Sequence, residues 1–187
     1  MAKTVTAAEM KERERAANEA GLLYIQMMEN AGRAAYAELK RRVPALRRLL
    51  IVAGKGNNGG DGFVMARVAA KEGVQVRVLL AEGEPKTADA KTNLARLAET
   101  AAEVVRDTEQ AAFGADAVVD ALYGTGFHGE LRPGGAAACA LMGRERERGA
   151  FVLALDLPSG VSADSGEVAE GAVQADATVT FDCTKPL

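Results

Sequence analysis

Apolar positions along this chain follow two periodicities, which alternate from Arg48 onward. Leu49 to Ala53, Val74 to Ala81, Ala102 to Arg106, Ala117 to Leu122, Phe151 to Leu155 and Ala177 to Asp182 are apolar throughout or alternate in steps of two. They read as strands. The intervening stretches, about Asp61 to Glu72, Thr87 to Glu99, Thr108 to Phe113 and Gly134 to Arg148, read as helices. Such alternation predicts an α/β protein, a three-layer αβα, doubly wound and mostly parallel sheet with helices on both faces. Two further helices precede the first strand. Thr6-Ala7-Ala8-Glu9 has the form of a capping box, and Ala7, Met10 and Ala17 give that helix an apolar side as far as about Glu19, where Gly21 ends it. Ile25, Met28, Ala31, Ala35 and Leu39 line one face of a second helix from Tyr24 to Lys40, which stops before Val43-Pro44.

Composition narrows the picture. A length of 187 residues suits one domain over 1–187. The 48% hydrophobic and 26% charged fractions are those of a globular protein, and a net charge of -3 argues against a general nucleic-acid binder. The apolar runs Leu49 to Ala53 and Phe151 to Leu155 are far short of the roughly 18 residues a membrane span needs. No signal-peptide core follows Met1, so a cytoplasmic location is expected. Cys139 and Cys183 lack CxxC spacing and read as buried free thiols. The charge run Arg144 to Arg148 reads as a solvated helix end.

The residues that suggest chemistry sit at the carboxyl ends of strands, where doubly wound sheets collect their ligands. Gly54-Lys55-Gly56-Asn57-Asn58-Gly59-Gly60-Asp61-Gly62 follows the first strand, and its backbone amides with the helix dipole behind them form an anion site. The GxGxxG spacing matches the dinucleotide fingerprint, with Glu82 at the distance of a ribose-binding acid. Asp61, placed where the helix is expected to begin, would repel a pyrophosphate and suits a ribose hydroxyl or a cation better; the bland alternative is an N-cap beside a tight turn. Gly124-Thr125-Gly126-Phe127-His128-Gly129-Glu130 follows the fourth strand, carries no helix-initial acid, and is the better phosphate candidate.

Asn58, Asp120 and Ser159 place oxygen ligands on three separate loops, a set suited to a monovalent cation, although each also reads as an ordinary turn or strand-end residue. Asp156 stands after an apolar strand and before Pro158, as a candidate general acid or base or as a structural aspartate. His128 reads as exposed or as a phosphate contact rather than a base. No nucleophile, histidine and acid arrangement is apparent, which disfavours covalent hydrolysis.

Taken together, Val5 to Met10, Met28-Glu29-Asn30-Ala31-Gly32, Gly56 to Gly62, Asp120-Ala121-Leu122-Tyr123-Gly124-Thr125-Gly126 and Asp156-Leu157-Pro158-Ser159-Gly160-Val161 resemble the YjeF N-terminal domain family in its own order. The resemblance implies a Rossmann-like fold and an isomerase that interconverts the R and S forms of hydrated NADH and NADPH in cofactor repair. By resemblance, Asn57, Asn58, Gly59, Gly60, Asp61, Gly124, Thr125, Gly126, Phe127, His128, Gly129, Glu130 and Asp156 bind the substrate. Asp156 is the catalytic residue, and Asn58, Asp120 and Ser159 hold one potassium ion (K+) per subunit. The family further implies a homodimer and a functional partner, an ADP- or ATP-dependent dehydratase, fused to this domain in many bacterial relatives. Family domains usually continue past the position of Leu187 with a final strand, so a piece of a larger, bifunctional protein is an expectation here. The competing reading is a non-catalytic ligand-binding or scaffold domain, which has no need of convergent oxygen ligands. An ordinary NAD-dependent oxidoreductase is weakened by Asp61.

Overall fold

The computed structural model describes residues 6–181. Cys183, the expected end of the last strand at Asp182 and the segments 1–5 and 182–187 lie outside the described residues. The strands are β1 (Arg48–Ala53), β2 (Gln75–Leu80), β3 (Glu103–Val105), β4 (Ala117–Ala121), β5 (Phe151–Leu155) and β6 (Ala177–Val179). They form one sheet in the order β3-β2-β1-β4-β5-β6, and every pairing is parallel. This is the doubly wound order, with its topological switch point between β1 and β4.

The helices are α1 (Ala7–Glu19), α2 (Tyr24–Arg42), α3 (Asn57–Lys71), α4 (Ala88–Arg96, extended by a 3-10 turn at Leu97–Glu99), α5 (Thr108–Ala111) and α6 (Pro133–Glu147). Because side chains alternate across a strand, each central strand feeds two cores. Leu49, Ile51, Val78, Val119 and Leu153 pack with Ala35, Leu39, Phe63 and Ala90 of α2, α3 and α4. Leu50, Val52, Leu79, Val118 and Val152 pack with Ala111 of α5 and Ala138, Leu141 and Met142 of α6. The strands therefore read as continuous apolar runs rather than alternating ones. The capping box at α1 is present, with the Thr6 hydroxyl accepting from the Glu9 amide and the Glu9 carboxylate accepting from the Thr6 amide.

Two expectations need correction. Helix α3 begins at Asn57, with Gly56 as its N-cap, so Asp61 lies in the second turn and is no cap. Asparagine and glycine are poor helix formers, yet glycine is what the packing requires there. A Cβ on Gly59 would overlap the Gly54 carbonyl, and one on Gly60 would stand 2.5 Å from the Met28 sulfur. The run Arg144 to Arg148 is not wholly solvated either. Glu145 is fully buried, accepting from the Ala115 amide at 2.9 Å and from Arg148 at 3.2 Å, because it continues the inward stripe of Leu141 and Met142.

Candidate active site

Parallel register brings the loops after β1, β4 and β5 to one edge of the sheet, and a short hydrogen-bond chain ties them together. Asn58, in the first turn of α3, donates through Nδ2 to the carbonyls of Tyr123 at 3.0 Å and Leu155 at 3.3 Å. Both partners accept only, so the amide orientation is settled. Its Oδ1 is left buried without a partner. The Tyr123 amide donates to the Ser159 hydroxyl at 2.9 Å. That hydroxyl donates in turn to Asp120 Oδ1 at 2.6 Å, while the Ser159 amide donates to Asp120 Oδ2 at 2.7 Å. Asn58, Asp120 and Ser159, expected to converge, thus meet around the Tyr123 peptide.

Asp120 and Ser159 are both fully buried. Burial pushes the Asp120 carboxyl up to about 6, opposed by the hydrogen bonds from Ser159 and from the Leu122 amide. A buried carboxylate with an orphaned amide oxygen on the same wall is a donor set of oxygens only, apt for a hard cation of low charge. Among the described residues no group of three or more His, Cys, Asp or Glu side chains forms a metal site, so any ion here relies on neutral oxygens as well.

Asp156 occupies an unusual turn. Its φ is 66°, the only positive value of a non-glycine residue among those described, and the Leu157 amide donates across it to the Leu155 carbonyl at 2.8 Å. This i to i+2 bond with positive φ marks a strained γ-turn, a conformation that costs on the order of 1–3 kcal/mol. The surroundings hold it there: the Asp156 amide donates to Val179 of β6 at 2.8 Å. Gly160, at φ 98°, keeps its Cα hard against Ala172, where a Cβ would come within 2.6 Å. The turn aims the carboxylate at the second glycine loop, where Oδ2 accepts from the Thr125 amide at 3.1 Å. Gly124 leaves it room, since a Cβ there would stand 3.1 Å from that same oxygen.

The remaining candidates fall into two groups. Asn57, Gly126, His128, Gly129 and Glu130 are exposed at the rim, and Gly56 has open space before it. Gly59 and Gly60 are buried and turned to the protein interior, and Phe127 folds inward to stack on Tyr123 at 5.1 Å between ring centroids. The Phe127 amide closes a turn onto the Gly124 carbonyl at 3.2 Å. Asp61 is half-buried, and its carboxyl is pushed well above the ordinary range by burial, then by the charges of Asp156 and of Glu14 on α1. Glu82 sits just after β2 and its carboxylate accepts from the Tyr123 hydroxyl at 2.8 Å, joining the adjacent loop to this wall. Neither Tyr123 as a linchpin nor Glu14 as a neighbour of Asp61 follows from sequence spacing. Only the place of Tyr123 inside the Asp120 to Gly126 motif hinted at it.

The doubly wound fold and these motifs define a family: residues 24–187 match the YjeF-related protein N-terminus, and the chain belongs to that family. Particular relatives follow. It is 42% identical over 179 residues to a protein of Pirellula staleyi named NAD(P)H-hydrate epimerase, an alignment covering 89% of this chain and 75% of that one. It is 39% identical over 178 residues to the bifunctional NAD(P)H-hydrate repair enzyme Nnr of Coxiella burnetii, covering 95% of this chain and 36% of that protein. For the Escherichia coli protein of the same name the identity is 36% over 173 residues, covering 91% and 33%. The chain spans about a third of the length of these bifunctional relatives. A crystal structure of yeast ynu0 superposes with a TM-score of 0.87 at 22% identity, covering 98% of this chain and 82% of that one, which shows the shared fold. No helix among the described residues is long and apolar enough to cross a membrane.

Proposed function

We propose that this protein interconverts the R and S forms of hydrated NADH and NADPH, as the names of its relatives suggest. The observation that carries the reading is the strained Asp156 turn, which holds a carboxylate against the second glycine-rich loop on the Thr125 amide. Strain kept in place by β6 and Gly160 is characteristic of a functional residue. A scaffold gains nothing from it.

The substrate carbon bears both a ring nitrogen and a hydroxyl. Epimerisation must labilise that hydroxyl and let it return from either face, and Asp156 moves the proton to and from it. The exposed backbone of Gly126, Gly129 and neighbouring residues takes the diphosphate, and the first turn of α3 with Asn57 and Asn58 lines the opposite wall. A potassium ion fits the oxygens of Asn58, Asp120 and Ser159, with the orphaned Asn58 Oδ1 as the deciding feature. Bound there, it supplies positive charge beside a buried carboxylate and ties the loops together.

A cytoplasmic homodimer working beside a dehydratase, fused or separate, completes the proposal. Incubation with a mixture of hydrated NADH epimers, resolved by chromatography over time, tests it. Conversion of R to S at the buffer rate contradicts it.

A further inference from the structure

Two carboxyls from different elements, Asp61 on α3 and Asp156 after β5, lie within reach of each other's charge. Asp61 lies three residues beyond Asn58 on α3, so the two side chains leave the same face of that helix. Asn58 Cβ and Asp156 Oδ2 both lie against Gly124, at 3.6 Å and 3.1 Å from where a Cβ on that glycine would stand. The α3 face carrying Asp61 therefore meets the turn carrying Asp156. Their surroundings differ. Asp156 is held by the Thr125 amide, whereas no hydrogen bond or ion pair reaches the Asp61 carboxyl among the described residues. The charges facing Asp61 are both acidic, Asp156 from the loop after β5 and Glu14 from α1. Helix α2 packs Gly32 against the backbone of this stretch, where a Cβ would stand 2.8 Å from the Asp61 carbonyl oxygen. Burial, reinforced by those two acids, raises the Asp61 carboxyl well above the ordinary aspartate range.

We infer that Asp61 is a second catalytic carboxyl, serving one face of the hydrated ring as proton donor while Asp156 serves the other as acceptor. The inference rests on the epimerase reading. Asp61 passes its proton to the hydroxyl oxygen as the C–O bond breaks. The bonding pair leaves with the oxygen as water, and the ring-nitrogen lone pair forms a C=N bond. Water then adds to the opposite face, the C=N pair returns to nitrogen, and the proton shed by the water goes to the Asp156 carboxylate. The reverse epimerisation exchanges the two roles, and solvent carries the proton back from Asp156 to Asp61 between turnovers.

The test uses Asp61→Asn, with Asp61→Ser as a second variant, each checked for native circular dichroism and for NADH affinity by calorimetry. Both are expected to fold and to epimerise about 10²–10⁴-fold more slowly, a loss greater than any accompanying loss of NADH affinity. The parent pH–rate profile should be bell-shaped, and Asp61→Asn should lose one limb of the bell. Parent-like rates in either folded variant overturn the inference, as does a rate loss matched by an equal loss of NADH affinity. A parent protein that does not epimerise overturns the epimerase reading instead, so the two failures are distinct.

Discussion

Replacing Gly62 with alanine adds one methyl group where α3 crosses the sheet, and the geometry sets its cost. The new Cβ would stand 2.7 Å from Ala121 Cβ and 3.0 Å from Ile51 Cγ2. Carbon atoms pack best at about 3.5–4.0 Å, so the helix must lift by roughly 1 Å. Neither neighbour yields easily, because Ala121 has no rotamer to change and both residues belong to central strands. Overpacking of this kind costs about 1–3 kcal/mol, against a gain of about 0.5–1 kcal/mol from replacing a helical glycine. A net loss of about 1–2 kcal/mol is expected. Gly143→Ala makes the same chemical change on the exposed side of α6, where nothing lies within 4 Å, and should stabilise by about 0.5–1 kcal/mol. The two variants should therefore differ by about 2 kcal/mol, or roughly 4–8 °C in Tm for a chain of this size. Urea titrations and thermal melts of both proteins read this directly. If Gly62→Ala is as stable as Gly143→Ala, the close approach of α3 to β1 and β4 is wrong. The lifted helix should also draw Asn58 away from the Tyr123 and Leu155 carbonyls and slow epimerisation, although no reacting group is touched.

Other outcomes follow from single residues. Asp156→Asn keeps an acceptor for the Thr125 amide and is, glycine aside, among the side chains best tolerated at positive φ, so its stability should match the parent within about 1 kcal/mol while epimerisation falls about 10²–10⁴-fold; a parent rate in the folded variant removes Asp156 from proton transfer. The Asp120 carboxyl, pushed up to about 6 from 3.8 by burial, holds a proton in the folded chain that the unfolded chain has lost between those values. Its contribution to stability is therefore full below about pH 4 and is lost as the pH rises through 6, by about 3 kcal/mol in potassium-free buffer. Potassium should restore stability more at pH 7.5 than at pH 5, and Asp120→Asn should flatten the dependence; equal effects of potassium, sodium and lithium on stability and on rate contradict the ion site. Cys139 is buried, and desolvation with the Asp120 charge pushes its thiol up to about 12. Iodoacetamide at pH 8 should leave it unmodified in the native protein, and peptide mapping that finds Cys139 alkylated as fast as free cysteine contradicts that burial.

Much of this architecture is written in apolar periodicity. Parallel strands buried on both faces leave runs such as Leu49 to Ala53 and Phe151 to Leu155, and the doubly wound alternation follows from them. The edge strands β3 and β6 are only three residues each, shorter than their apolar stretches, because hydrogen bonding with a neighbour and not side-chain character ends them. The start of α3 was illegible for the opposite reason: local propensity disfavours Asn57 to Gly60, and the need for close approach to Gly54 and Met28 overrides it. Strand ends located the site loops, whereas the hydrogen-bond chain that joins Asn58, Asp120 and Ser159 is a finding of the structure. The strained φ of Asp156, the Glu82 to Tyr123 bond and the approach of Glu14 to Asp61 depend on contacts between loops and helices far apart in sequence. No spacing along the chain records them.

The most direct measurement follows the R and S epimers of hydrated NADH by chromatography, in potassium buffer, with and without the protein. Interconversion should accelerate in proportion to protein concentration until the two forms reach equilibrium. A rate of R to S conversion that is the same with protein as in buffer alone contradicts the assignment.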